Sequence, residues 1–350
     1  SLNILILLWI FCIPKRMKAQ PIYLDHNATT PLRPESLAAM TAVLAEGGNP
    51  SSVHHFGRMA RKHVESARKT IADTLDVSAG QVFFNSGATE GNNTILKGFA
   101  GQRVLVSAIE HPSVLECSVT AQKIPVTPDG VVDIDALQTL IAEHRPALVS
   151  VMLVNNETGV IQPVPDIAKI AKAAGALVHC DAVQAYGRIP FTRESLGVDF
   201  ITLSAHKIGG AQGAGAIVVA PNTPLPTLLH GGGQEKRSRA GTENVPAIVA
   251  FGVAAECALR DLALFQNLSG LRDRIETALI ASPHVTLYGH RASRVSNTIS
   301  CTINGVASDT LLMAFDIEGI AISSGSACSS GTVRFSHVLT AMGATHTKTT

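Results

Sequence analysis

The sequence predicts an α/β fold, a mostly parallel sheet with helices over both faces. Two observations point there. From Asp25 onward, short apolar runs rich in β-branched residues alternate with helical patterns, as in chained β–α–β units. Hydrophobic residues make up 46% of the chain, with Ala, Val, Ile and Leu prominent, which suits strands buried on both faces. With 350 residues there is enough chain for one large domain, a smaller one and a sizeable core.

The elements follow in order. Val82-Phe83-Phe84 reads as a strand leading into Ser86-Gly87-Ala88-Thr89 and then a helix. Val104 to Val106, Leu148 to Leu153, Leu177 to Cys180 and Phe200 to Leu203 are further strands, and Ile217 to Val219 follows soon after. A helical period runs from Ile167 to Ala174. From about Pro246 through Leu279 the pattern is one long helical connection, and Pro246 suits a first helical position, where its missing N–H costs nothing. Strands near Val295 to Ile303 and at Ile320 to Ile322, with a helix from Ala307 to Asp316, form a second, smaller α/β unit. The expected division is an extension (1–16), an N-terminal piece of the small domain (17–30), a large domain (31–260) and a small domain (261–350).

Composition narrows the function. The 28 basic and 27 acidic residues nearly cancel, which argues against a nucleic-acid footprint or a polybasic membrane surface. Only 4% of residues are aromatic, too few for a single-strand stacking platform. Cys12, Cys117, Cys180, Cys257, Cys301 and Cys328 are scattered, with no C-x-x-C and no zinc spacing, so a reducing cytoplasm fits better than a disulfide framework. Leu2 to Ile13 is apolar apart from Asn3, and Pro14-Lys15-Arg16 then precedes Met17. That run is short for a bilayer span, and its charge follows the apolar stretch where a secretory signal has it first. It reads as an extension outside the fold, with a short membrane-associating segment as the alternative.

Candidate chemistry sits where strands end. Lys207 follows the strand at 200–203, and a lysine with a lowered pKa forms imines. An ordinary exposed lysine is the simpler alternative. Asp181 follows the strand at 177–180 and is either a helix cap or a carboxylate facing a pyridine nitrogen, with Gln184 one helical turn on. Ser86 to Glu90, between a strand and a helix, offers backbone N–H groups to an anion, and Ser204 and His206 flank Lys207 with further donors. His111 follows another strand, and Asn155 follows the one ending at Leu153. Each of these has a physical role if the ligand is pyridoxal phosphate. Cys328 lies in Ser323-Ser324-Gly325-Ser326-Ala327-Cys328-Ser329-Ser330-Gly331, which reads as a mobile surface loop. Its thiol is either incidental to a Ser/Gly linker or a nucleophile that must reach two places.

Taken jointly these pieces resemble the class V pyridoxal-phosphate enzymes, specifically the NifS/IscS-type cysteine desulfurases. The resemblance rests on Tyr23 to Thr30, Gly48 to Ser52, Ser86 to Glu90, Glu110-His111, Asn155 to Glu157, Asp181 to Gln184, Ser204 to Lys207, Arg239 to Thr242 and the Cys328 loop, and runs from about residue 21 to 343. It implies fold type I: a large domain with a mostly parallel seven-stranded sheet flanked by helices, plus a smaller α/β domain. Lys207 would hold the cofactor and move protons. Asp181 would pair with the pyridine nitrogen, with Gln184 and Asn155 near the phenolate side. Ala88, Thr89, Ser204 and His206 would hold the phosphate, and Thr242 would reach it from the other subunit of a homodimer. His111 would stack on the ring and shuttle protons, and Asn27 is a candidate for touching the substrate.

The implied reaction removes sulfur from L-cysteine, giving L-alanine and a persulfide on Cys328. That sulfur would pass to an acceptor or iron–sulfur scaffold protein for iron–sulfur cluster or thio-cofactor biosynthesis, and Cys328 would be the one residue to meet a nascent cluster. No resident metal, nucleic acid or stable membrane association is expected. After Gly343 the sequence departs from the family pattern, whose next segment carries a carboxylate-binding arginine. The alternative is therefore a C-terminally truncated, desulfurase-like protein that binds pyridoxal phosphate with little or no turnover. A selenocysteine lyase or an aminotransferase of the same fold is the further alternative.

Overall fold

The computed structural model describes residues 20–324 and 336–344. The chain enters through β1 (Ile22–Tyr23) and then forms α1 (Pro34–Glu46) and α2 (His55–Thr74). Helix α2 buries Gly57, Ala60, Val64, Ala67 and Ile71, a three-and-four spacing that puts one apolar stripe on the core. There follow β2 (Val82–Asn85), α3 (Ala88–Gly98), β3 (Val104–Ser107), the single turn α4 (Pro112–Leu115), β4 (Gln122–Ile124), α5 (Ile134–His144), β5 (Leu148–Ser150) and α6 (Val164–Ala173). Then come β6 (Leu177–Asp181), α7 (Arg193–Leu196), β7 (Phe200–Ser204), β8 (Gly215–Val219) and α8 (Val245–Arg260). Last are α9 (Leu262–Gln266), α10 (Ser269–Ile280), β9 (Val285–Tyr288), β10 (Ser300–Ile303), α11 (Ser308–Ile317), β11 (Ile320–Ala321) and α12 (His337–Ala341).

Seven strands make the central sheet in the order β2-β8-β7-β6-β5-β3-β4. All but β8 run the same way, so the predicted mostly parallel sheet is present. Its two faces carry separate apolar layers. Phe84, Leu105, Val149, Val178, Ile201 and Val218 pack with α2 and α8, while Val104, Val106, Leu148, Phe200, Ile217 and Val219 pack with Ile95 and Leu96 of α3. Helices α2 and α8 meet closely, because a Cβ on Gly252 would come within 2.9 Å of Ala67 Cα. Two small sheets complete the described fold: β1 lies parallel to β11, and β9 antiparallel to β10.

Two elements differ from expectation. The single helix read from Pro246 to Leu279 is three helices, interrupted at Asp261 and again after Gln266. Asp261 leaves helical geometry at ψ 3°, and its carboxylate is gripped by Arg33 at 2.6 Å and Arg260 at 2.8 Å. The strand read from Val295 begins only at Ser300, since Val295 gives its N–H to Gly159 and its carbonyl accepts from Arg272.

Glu235, Lys236 and Arg237 hold φ values of 45°, 56° and 69°, three consecutive left-handed residues without a glycine among them. Arg68 fixes this turn through a two-pronged pair with Glu235, 2.7 Å at each prong, and Glu235 also accepts from the Phe84 N–H. Both side chains are almost fully buried, at 5% and 1% exposure. Glu235→Gln is therefore expected to destabilise the protein by about 3–5 kcal/mol, because it leaves the buried Arg68 charge with only the largely exposed Glu65 carboxylate, at 3.2 Å, as its ion-pair partner. Urea unfolding checks this, and a loss below ~1 kcal/mol would show that the turn holds without the pair.

Candidate active site

The parallel strands deliver polar residues to one edge of the sheet, at their carboxyl ends, where such sheets bind ligands. The register fixes their placement: Ser204 of β7 pairs with Gly215 of β8, which also pairs with Asn85 of β2, and Asp181 of β6 pairs with Thr202 of β7. A Cβ on Gly215 would lie 2.6 Å from Gly87 Cα, so only glycine lets the turn after β2 approach this strand.

That turn opens α3. Its cap residue Gly87 sits at φ 145°, no side chain caps the helix, and nothing lies within 4 Å of where a Gly87 Cβ would be. Ala88 and Thr89 therefore start a helix whose first N–H groups lack a side-chain acceptor among the described residues, an arrangement suited to an anion. Glu90 accepts from Ser86 N–H and pairs with Arg239 at 2.9 Å, which ties the loop carrying Thr242 to this turn. Thr242 itself is exposed.

Asp181 is buried at the end of β6. Its Oδ1 accepts from Val183 N–H at 3.0 Å, and its Oδ2 accepts from Asn92 Nδ2 at 2.8 Å. Asn92 also donates to Ser113 Oγ, which is 2.8 Å from His111 Nδ1. A polar chain thus runs from Asp181 to His111. Because His111 Nδ1 accepts from the Ser113 N–H, the neutral ring carries its proton on Nε2. Burial holds the His111 pKa below its ordinary value, with the Lys207 charge adding to the fall and Asp181 opposing it.

Two further ionisable groups lie beneath Asp181. His179 is buried between Ser150 Oγ at 2.8 Å and Thr202 Oγ1 at 3.0 Å, and burial pushes its pKa down to about 4. Burial pushes the Glu110 carboxyl up to about 8 against hydrogen bonds from Ser107 Oγ and Met152 N–H, and the Asp181 charge adds to the rise. Near neutral pH both neighbours are largely uncharged.

Lys207 follows β7 in a single 3-10 turn, and its Nζ donates to the carbonyls of Asn27 at 2.5 Å and Ala28 at 2.7 Å. The segment from His26 to Thr30 lies across it like a strap: Thr30 gives its N–H to His206 O and its hydroxyl to Lys207 O. His206 Nδ1 lies 3.1 Å from Thr29 Oγ1, and burial, helped by the Lys207 charge, takes the His206 pKa down to about 4. Gln184 donates to Asn27 O at 2.9 Å, while its own Oε1 is buried without a partner among the described residues. Asn155 is buried, accepting from Glu157 N–H, Thr158 N–H and the Thr158 hydroxyl, and donating to Ile109 O.

Ala88, Thr89, His111, Asp181, Gln184, Ser204, His206, Lys207 and Asn27 thus gather at one sheet edge, and Asn155 frames it from behind. Cys328 lies outside the described residues. The chain resumes at Ser336, whose hydroxyl donates to Glu157 at 2.5 Å, and His337 donates to Glu110 O at 2.8 Å. Burial lifts the Glu157 carboxyl to about 7. Sequence reasoning missed Asn92, Ser113 and Arg188. The signal for Arg188 was the spacing of Asp181, Gln184 and Arg188, which repeats every three to four residues. Among the described residues no cluster of three or more His, Cys, Asp or Glu could hold a metal ion, and no helix is long and apolar enough to cross a membrane.

This fold is that of one large enzyme class. The aminotransferase class-V family model matches residues 22–345. The chain belongs to that family, and within it to the cysteine desulfurase group. Cysteine desulfurase IscS of Dictyoglomus turgidum is 40% identical over 337 residues, covering 92% of this chain and 85% of the relative. Among solved structures, the NifS-like protein of Rickettsia africae superposes with a TM-score of 0.88 at 37% identity, covering 94% of this chain and 91% of that one. A structure described as SspA in complex with cysteine gives a TM-score of 0.81 at 29% identity, covering 93% and 96%.

Proposed function

We propose that the chain takes sulfur from L-cysteine with pyridoxal phosphate as cofactor, leaving L-alanine and a persulfide on Cys328. The observation that carries this reading is the convergence of Lys207, Asp181 and the uncapped start of α3 on one sheet edge. A lysine, a buried carboxylate and an anion-binding helix end are the three fittings that an aldehyde, a pyridine nitrogen and a phosphate require. When bound, the cofactor supplies an electron sink that labilises bonds at the substrate α-carbon.

The protein's own groups do the rest. The α3 N–H groups, Thr89, Ser204 and His206 hold the phosphate. With Nδ1 of His206 facing Thr29, its Nε2 is left to donate. Asp181 would keep a proton on the pyridine nitrogen, while burial leaves its neighbours His179 and Glu110 largely uncharged near neutral pH. Gln184 and Asn155 flank the phenolate side. Lys207 Nζ takes the substrate α-proton, and His111 Nε2–H is a second proton source above the site. The Cys328 thiolate attacks the substrate sulfur. A new S–S bond forms, the substrate C–S bond breaks, and its electron pair stays with the carbon fragment, which takes up a proton at the β-carbon, regains the α-proton and leaves as alanine. The persulfide sulfur then passes to a protein acceptor.

A homodimer suits this reading. Thr242 is exposed beside a surface where Val53 and Phe56 are 87% and 62% exposed, and Gln234 of the same loop reaches Ser51. A second copy would cover these apolar side chains and receive Thr242 at its phosphate site. The free thiols of Cys117, Cys180, Cys257 and Cys301 accord with a reducing cytoplasm.

The test is alanine and sulfide release from L-cysteine under reductant. Cys328→Ala should retain the visible cofactor band while both products fall at least about a hundredfold, the scale of losing an activated nucleophile. Sulfide release at the wild-type rate would remove Cys328 from the mechanism. A wild-type protein that holds the cofactor and makes no alanine would overturn the activity.

A further inference from the structure

Arg188 is buried at 3% exposure four residues beyond Gln184. Its N–H bonds Ala185 O, so the segment from Asp181 coils and brings Asp181, Gln184 and Arg188 to related positions. Buried arginines are ordinarily matched by carboxylates. Arg188 forms no salt bridge among the described residues and donates instead to two neutral acceptors, Asn27 Oδ1 at 2.6 Å and His26 O at 3.2 Å. Burial alone lowers its pKa, to about 10, so it stays charged at neutral pH.

The residue it grips is the hub of the strap. Asn27 O accepts from Lys207 Nζ and from Gln184, Asn27 Nδ2 donates to Asn156 O and Thr298 Oγ1, and Asn297 donates to Asn27 Oδ1. One residue therefore takes the guanidinium on its side chain and the lysine on its main chain. The two effects on Lys207 oppose each other. Carbonyl acceptors favour a charged amine, and a nearby unneutralised cation disfavours it.

We propose that Arg188 is a positioning residue for Lys207: through Asn27 it fixes the carbonyls that seat Nζ, and its charge lowers the proton affinity of the nitrogen Lys207 carries. This rests on Lys207 being the cofactor attachment point. The other ionisable groups facing the pair are His26 and Asp25 on the strap, His206 beside Lys207, and His111 and Asp181 across the sheet edge. Burial keeps both His206 and His111 below the ordinary histidine pKa, so neither substitutes for the Arg188 charge near neutral pH.

The experiment is a pH titration of the cofactor's visible absorbance in the holoenzyme. Arg188→Met is expected to raise the midpoint by about one pH unit or more, a tenfold gain in proton affinity, and Arg188→Lys to stay close to wild type. A merely structural role would lower the melting temperature of Arg188→Met and leave the midpoint in place. If Arg188→Met does not fold, Arg188→Gln carries the same test. A midpoint in the folded neutral variant within ~0.2 units of wild type overturns the proposal. A wild type without any visible band would instead refute the cofactor reading. In that case the pH midpoint for acylating Lys207, read by mass spectrometry, decides on Arg188 with the same expected shift.

Discussion

Replacing Lys207 by alanine is expected to yield a folded protein that loses its yellow colour on dialysis and releases alanine from L-cysteine at least about 10²–10⁴-fold more slowly. That range is what removal of a positioned proton-transfer group costs before any loss of covalent attachment is added. The fold should survive. Nζ contributes hydrogen bonds to Asn27 O and Ala28 O, while the strap keeps its main-chain links from Thr30 to His206 and from Arg33 to Gly209. A Lys207→Ala protein that kept a visible band through dialysis and borohydride treatment would place the attachment elsewhere.

Asp181→Asn is the next largest. The substitution keeps the side chain's shape and its acceptor for the Val183 N–H, but turns an acceptor facing Asn92 Nδ2 into a donor. Turning the Asn92 amide over would restore that one contact, but it would give up the bond to Ser113 Oγ and bury the Nδ2 where Oδ1 now lies without a partner among the described residues. A structural cost of about 1–3 kcal/mol, from one buried donor left unpaired, therefore accompanies the electrostatic one. Losing a close opposite charge lowers the partner's pKa by about 1–3 units, so the protonated fraction of the pyridine nitrogen, and kcat with it, should fall roughly 10–10³-fold. Steady-state alanine formation, read beside a thermal melt, separates the two. Unchanged kcat with a lowered melting temperature would make Asp181 a helix-turn residue and nothing more.

Much of this was legible because the chemistry sits at the ends of apolar runs. Lys207 and Asp181 each close a buried strand, and the small residues from Ser86 to Thr89 separate β2 from its helix, so runs and breaks gave their places. Other parts had no such mark. Strand β4 is Gln122-Lys123-Ile124, an edge strand with two exposed residues, and it shows almost no apolar signal. The break at Asp261 depends on Arg33, far away in sequence. Asn92, Ser113 and Glu110 look like ordinary helix, turn and loop residues until folding brings them beside Asp181. Glu110, which entered only as part of the Glu110-His111 motif, is fully buried, with one oxygen lacking a partner among the described residues. Local pattern reports what a residue does within its own element. It is silent on contacts that only the closed sheet creates.

The strap across Lys207 also sets a clock. Asn27 and the lysine it seats are separated by 180 residues. At ribosomal rates of about 5–20 residues per second, the strap emerges roughly 10–40 s before its partner exists. For most of that interval His26 to Thr30 lacks the partners it meets in the fold, since Asn156 follows Asn27 by 129 residues and Gln184 by 157. The seat of Lys207 thus forms only after β6 and β7 have been made, although the strap was among the first segments to emerge. Capture of the cofactor during synthesis would mark the moment at which β6 and β7 have joined the sheet.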